Sequence, residues 1–412
     1  MKFFFPDSQD QVDPSFDFDT EERARLRLRH RDDMYAHEVF AKPPFDGVLV
    51  SKAVVDAGRY SLAQKHRMLR TGVREFFRIT DPNMPTMGDC GAFAYVREER
   101  PPYSVGEVVD YYQSMGFDFG MSVDHIIFGY DPLERNIEDE WRSRRELTLT
   151  LAQDFLTNHR KTKAKFTPIG VAQGWSPDSY ADSVDRLQRM GYEYIALGGM
   201  IGLKSSEILR CLTRLNGTLK RGIGLHILGV TRIDSIDQFA ELGVTSIDST
   251  SPLRQAFKDS KDNYYAPDRT YTAIRVPQVD GNPQLMRKVK SGKVNQQVAR
   301  RLEQACLVEL KQFDQGHSSV EVTLDALITY EDLYNDGPSF GEVYREVLTA
   351  SPWKDCPCEI CRSLGIHVIL FRGAERNRRR GFHNLFVFYD RLQKKKALWL
   401  PLGEATECGE IA

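Results

Sequence analysis

Phe166-Thr-Pro-Ile-Gly-Val-Ala-Gln173 is a run of small, mostly apolar residues, and Gly174 and Trp175 lead it into Ser176-Pro177-Asp178, a helix-start signature. An amphipathic stretch over 177–190 follows, and Tyr194–Gly198 is a second apolar run. Strand, helix and strand in this order predict two parallel strands joined by a helix lying across them. The alternation extends in both directions. Gly47–Val55, Arg74–Ile79, Phe119–Ile127, Gly222–Val230 and Ser246–Ser249 read as further strands, with helical stretches near 138–158, 204–216 and 233–242. Repeated βα units over 45–255 imply a parallel sheet covered by helices. No Gly-x-Gly-x-x-Gly loop opens a helix and no phosphate-binding Gly-Lys-Ser/Thr occurs, which removes support from the dinucleotide-binding open sheet. Length and strand number favour an α/β fold of the (β/α)₈ TIM-barrel type.

Domain organisation follows from that reading. Residues 1–44 are expected to form an N-terminal extension and 45–295 the catalytic barrel. The polar stretch 256–295, with Tyr264, Tyr265 and Pro267, reads as an insertion or connection. Residues 296–412 are expected to form a helical and zinc-binding subdomain. It holds two helical stretches up to 350, a cysteine cluster, a basic segment and a loosely held tail over 401–412.

Composition bounds the class of protein. The chain has 412 residues, 41% hydrophobic and 28% charged, an ordinary globular balance. No apolar run approaches the roughly 18 residues a membrane span needs. Met1-Lys2-Phe3-Phe4-Phe5-Pro6-Asp7 turns acidic too early for a signal peptide. A cytoplasmic protein without a membrane partner is the expectation. The net charge of −2 excludes a globally cationic nucleic-acid binder. Over 371–396, however, nine Lys/Arg face only Glu375 and Asp390, a local excess of seven positive charges.

Three of the seven cysteines fall together in Cys356-Pro357-Cys358-Glu359-Ile360-Cys361. Thiolates so close repel one another unless a cation neutralises them, which points to a closed, structural Zn2+ site with an imidazole as fourth donor. Spacing alone leaves His383 and His367 as candidates for that donor.

Cys-x-Cys-x-x-Cys followed by Phe382-His383-Asn384 resembles the zinc motif of the tRNA-guanine transglycosylase superfamily, and the resemblance selects His383. Five ordered barrel motifs extend it. Asp89-Cys90-Gly91-Ala92-Phe93 is similar to the family's Asp-Ser-Gly-Gly-Phe, with Cys90 and Ala92 as departures. Ser122-Val123-Asp124-His125, Val171-Ala172-Gln173-Gly174 and Leu197-Gly198-Gly199-Met200 follow. Leu228-Gly229-Val230 and then Ser246-Ile247-Asp248-Ser249 complete the series. The resemblance implies that Asp248 is the nucleophile at the anomeric carbon and Asp89 the general acid and base. It implies that Asp124 and Gln173 hold the base's polar edges, with the Gly198 and Gly199 backbone, Phe93 and Met200 beside it.

Two further expectations rest on this family. Its bacterial tRNA enzymes carry a Glu shortly after the Gly-Gly pair, matched to an aminomethyl base. Here Met200-Ile201-Gly202-Leu203-Lys204 holds no acid before Glu207, which fits the neutral 7-cyano-7-deazaguanine. The opening Phe3–Asp7, the run Asp13–Phe18 and the altered Asp89 motif resemble the branch that modifies DNA, a guanine/7-deazaguanine pentosyltransferase, with tRNA as the alternative substrate. A non-catalytic subunit of the family is a third reading, disfavoured because both acids are kept. Arg376, Arg378, Arg379, Arg380, Lys394, Lys395 and Lys396 are then expected to contact backbone phosphates. A partner ATPase and a homodimer are carried over from the family as expectations.

Overall fold

A computed structural model describes residues 1–258 and 261–399; the tail expected over 401–412 lies outside the described residues. Eight parallel strands close a barrel in chain order. They are β1 (Lys2–Pro6), β2 (Gly47–Ser51), β3 (Thr86–Asp89), β4 (Phe119–Met121), β5 (Thr167–Ala172), β6 (Tyr194–Leu197), β7 (Gly224–Ile227) and β8 (Val244–Asp248). The ring closes where β1 pairs with both β2 (Phe4 opposite Gly47) and β8 (Phe4 opposite Asp248). Inside, Phe4, Leu49, Met87, Met121, Ile169, Val171 and Ala196 form one packed core, so the barrel is filled rather than hollow.

Two expectations are corrected here. Residues 1–9 are not part of an extension: Phe3, Phe4 and Phe5 are buried and supply the first barrel strand. A short apolar run buried on both faces is how a parallel strand reads, and its partners lie far along the chain. Arg74–Ile79 is not a strand but closes the helix Leu62–Phe76 and the turn beyond it. Buried Val73, Phe76 and Phe77 recur at the helical spacing i, i+3, i+4. The strand expected there is β3, which carries Asp89.

The βα unit that follows from β5 folds as its sequence dictates. Ser176 Oγ accepts from Ser179 N at 3.0 Å and Pro177 fills the first turn of the helix Pro177–Met190, which Gly191 ends at φ 104°. Its buried Tyr180, Val184 and Leu187 face the barrel.

The described residues divide into two compact units, one of residues 1–9, 45–250 and 391–399, the other of 10–44, 251–258 and 261–390. Residues 251–295 therefore fall outside the barrel's own unit. The second unit holds three helices between 296 and 350 rather than two, Gln296–Asp314, Val320–Tyr334 and Gly341–Ala350. Gly337-Pro338 interrupts the helical pattern between the last two. Within it Ile274–Arg275 pairs parallel with Leu370–Phe371. A helix over Gly373–Trp399 carries the basic segment. Among the described residues no helix is long and apolar enough to cross a membrane.

Candidate active site

Parallel barrels present the residues that end their strands on one rim, and that rim is where the motifs converge. Asp89 is the last residue of β3 and Asp248 the last of β8, while Gln173 and Gly198 directly follow β5 and β6. Asp89, Phe93, Asp124, Gln173, Gly198, Gly199 and Asp248 all line one pocket. Of the expected base-binding residues only Met200 is missing. Gly199 stands at φ 75° and starts a turn over Met200–Gly202 that buries Met200 completely and brings Ile201 to the pocket instead.

The floor of the pocket is a hydrogen-bonded frame. Gln173 Nε2 donates to Asp124 Oδ2 at 2.7 Å, and Gln173 Oε1 accepts from Ile127 N at 3.2 Å. Tyr95 and Tyr180 donate to the carbonyl oxygens of Asp124 (3.1 Å) and Gly198 (2.7 Å). Gly198 allows a close approach: a Cβ there would lie 2.1 Å from Gln173 Nε2 and push the amide aside. Gln173 keeps one amide hydrogen for a ligand, since only one of its two is used by Asp124.

Electrostatics separate the carboxyl groups. Burial pushes Asp89 up to about 6, the Gly91 N–H pulling the other way and the charge of Asp248 adding to the rise. Burial and then the charge of Asp89 push Asp124 up to about 7, against the pull of the Gln173 amide. Asp248 accepts from Gly229 N at 3.0 Å, and His226 Nε2 lies 3.0 Å from the same Oδ1. Three carboxyl groups on one pocket, two of them poised near neutrality, suit proton transfer beside a nucleophile.

Several pocket residues escaped the sequence reading. Leu49, Ala92, Ile126 and Leu228 give it apolar walls, and single apolar residues at strand ends carry no signal of their own. His226 lies beneath Asp248; a histidine inside a four-residue apolar strand was the available sign.

In the second unit Cys356, Cys358, Cys361 and His383 bring their donor atoms within 4.8 Å of one another. His383 Nδ1 stands 3.6, 3.5 and 3.3 Å from the three sulfurs in turn. Zinc bonded tetrahedrally to sulfur and nitrogen would set that separation at roughly 3.6 Å. His383 Nε2 donates to the Tyr265 carbonyl at 2.7 Å, which frees Nδ1 as a ligand. Tyr264 stacks on the imidazole with ring centroids 4.1 Å apart. The donor set fits a structural zinc. His367 is no part of it, lying instead 3.4 Å from Arg376 and near Asp19.

Most arginines of the basic segment are spent inside the second unit. Arg376, Arg379 and Arg380 are 1%, 7% and 0% exposed, which withdraws them from phosphate contact. Arg376 pairs with Glu21, Arg379 with Glu375 at 2.7 Å, and Arg380 donates to the carbonyls of Val368, Leu370 and Ala256. Burial raises Glu21, but hydrogen bonds from Arg372 and Gln278 and the Arg372 and Arg376 charges hold it down at about 2. The physical reason is that the helix Gly373–Trp399 turns these arginines inward, where acids and carbonyls satisfy them. Arg378 stays partly exposed beside Glu375, Lys394 is exposed, and in the barrel unit Lys395 and Lys396 pair with Asp237 and Asp46.

The family model described as queuine tRNA-ribosyltransferase matches residues 70–263, which span β3 to β8. A protein of Salmonella montevideo named DNA-guanine transglycosylase is 51% identical over 406 residues, 95% of this chain and 97% of that protein.

Proposed function

The chain belongs to the tRNA-guanine transglycosylase family and is a glycosyl-transferring enzyme, and from that premise we propose that it exchanges guanine in DNA for 7-cyano-7-deazaguanine. The observation that carries the proposal is the meeting of Asp89, Asp124 and Asp248 on one pocket.

Exchange takes two displacements. Asp248 attacks the anomeric carbon as the bond to guanine N9 breaks, leaving the sugar esterified to the carboxylate. The electron pair of the broken bond stays on guanine, which takes a proton from Asp89. The incoming base gives a proton back to Asp89, attacks the same carbon and releases Asp248 as a carboxylate. A group held near 6 passes between the two roles at little cost near neutral pH. Asp124 and the free hydrogen of Gln173 face the base's polar edges, and Phe93, 55% exposed, supplies an aromatic wall. The reacting nucleotide must leave its stack to reach this pocket.

Two features favour the particular substrates. After the Gly198-Gly199 pair the residue that reaches the pocket is the apolar Ile201, and Glu207 is engaged in capping, accepting from Lys204 N at 2.7 Å. A neutral nitrile suits that wall. DNA is favoured by the relative named DNA-guanine transglycosylase, which this chain matches over nearly its whole length. Of the cations expected to meet phosphates, Arg378, Lys394, Lys395 and Lys396 are the ones that are not buried. Zinc held by Cys356, Cys358, Cys361 and His383 would brace the second unit, all four tetrahedral positions being taken by side chains.

The test is release of labelled guanine from DNA and from tRNA in the presence of either base. Release from DNA driven by the nitrile base is expected. Release from tRNA alone would move the assignment to the family's tRNA reaction, and preference for the aminomethyl base would overturn the choice of base.

A further inference from the structure

We propose that His226 is a positioning residue that fixes which oxygen of Asp248 attacks and drives the second displacement. The inference rests on the reading of Asp248 as nucleophile. Parallel pairing of β7 and β8 sets His226 beside Ser246, two residues before Asp248. His226 is fully buried, edge-on to Phe4 and Tyr194 at ring-centroid distances of 6.2 and 6.5 Å. Its Nδ1 lies 2.5 Å from Ser246 Oγ, Ser246 Oγ in turn bonds Tyr194 OH, and Nε2 lies 3.0 Å from Asp248 Oδ1.

The bonding pattern assigns the roles. An ionised carboxylate only accepts, so Nε2 carries a hydrogen and donates to Oδ1 in either charge state of the ring. Gly229 N donates to that same Oδ1 at 3.0 Å. Oδ1 is thereby committed to two donors, and Oδ2 is the oxygen left to form the bond to the anomeric carbon. Ser246 and Tyr194 hold the imidazole from its far side, which fixes the direction of the Nε2–H bond.

The energetic consequence is asymmetric. Both donors favour the carboxylate charge, which vanishes when Oδ2 esterifies the sugar and returns when the incoming base's N9 lone pair displaces it. An interaction made to the charged form alone opposes ester formation and favours ester breakdown. His226 therefore limits the lifetime of the intermediate.

The experiment compares wild type, His226→Phe and His226→Gln on guanine-containing DNA. It reads turnover with added base, and the fraction of chain trapped as adduct without it. Phe keeps the ring packing and loses the donor; Gln restores an N–H at the same reach. Turnover in His226→Phe is expected to drop about 100-fold, the usual effect of losing one preorganised donor, while the trapped fraction rises above wild type. His226→Gln should recover turnover at least tenfold. Parallel loss of adduct and turnover in His226→Phe, or no recovery in His226→Gln, overturns the inference while leaving the nucleophile in place. A wild-type chain that forms no adduct and exchanges no base overturns the proposed function itself, and this inference with it.

Discussion

At the scale of one residue, the role proposed for Asp124 ties recognition to pH. Its carboxyl titrates at about 7, raised by burial and by Asp89, and only the ionised form accepts from both the N1–H and the amine of a guanine-like base. The KM for incoming base is expected to fall as pH rises from 6 to 8; a flat profile in initial-rate measurements would remove Asp124 from base recognition. Stability runs the other way. A folded value of about 7 lies above the unfolded carboxylate's, about 3.9. The stability attached to the protonated form is thus complete below pH 4 and lost as pH climbs through 7. Asp124→Asn is neutral throughout and should gain about 3 kcal/mol on wild type between pH 5 and 8.5. Denaturant midpoints measured across that range check it, and a gain that does not change with pH contradicts it. Gly198→Ala tests the close approach: a Cβ 2.1 Å from Gln173 Nε2 should displace the amide and raise the KM for base at least tenfold. A Gly198→Ala enzyme with unchanged KM would mean that Gln173 does not hold the base.

At the scale of elements, local chemistry was legible where it is local. The helix start at Ser176-Pro177 and the three-cysteine cluster announced themselves through side-chain-to-backbone capping and thiolate spacing. The charge run on the helix Gly373–Trp399 misled because charge reports composition and not the face presented. Glu21, the partner of Arg372 and Arg376, is some 350 residues away in sequence (|i−j| = 351 and 355). Arg380 has buried carbonyls as partners, so Arg380→Ala should cost roughly 1–3 kcal/mol of stability for each acceptor left without a donor. The slope of DNA affinity against salt should stay at the wild-type value. A slope reduced by about one per arginine removed, at unchanged melting temperature, would restore these side chains to the phosphate interface. The cysteine cluster carries its own prediction. Purified protein should contain about one zinc per chain, and Cys358→Ser should lose the metal and melt the second unit well before the barrel. Metal-free protein whose melting no chelator alters would refute the zinc assignment.

For the molecule as a whole, βα alternation was enough to name the barrel, yet its closure was not visible. Closure is made by Lys2–Phe4 against Ser246–Asp248, a pairing between chain segments that no local pattern connects. The same closure seats the strand of Asp248, the proposed nucleophile, beside the buried phenylalanines of β1. The proposed site was legible as a set of motifs because its polar groups end a strand (Asp89, Asp248) or follow one within three residues (Asp124, Gln173, Gly198). Its apolar walls and His226 were not, since they matter only by what the barrel brings next to them. The account turns on Asp248. Guanine-containing DNA mixed with the protein, quenched in denaturant and digested should yield one peptide bearing a sugar–carboxylate adduct. Mass spectrometry is predicted to place the adduct on Asp248, and Asp248→Ala to abolish it. An adduct carried by Asp89, or one that persists in Asp248→Ala, would contradict the mechanism at its centre.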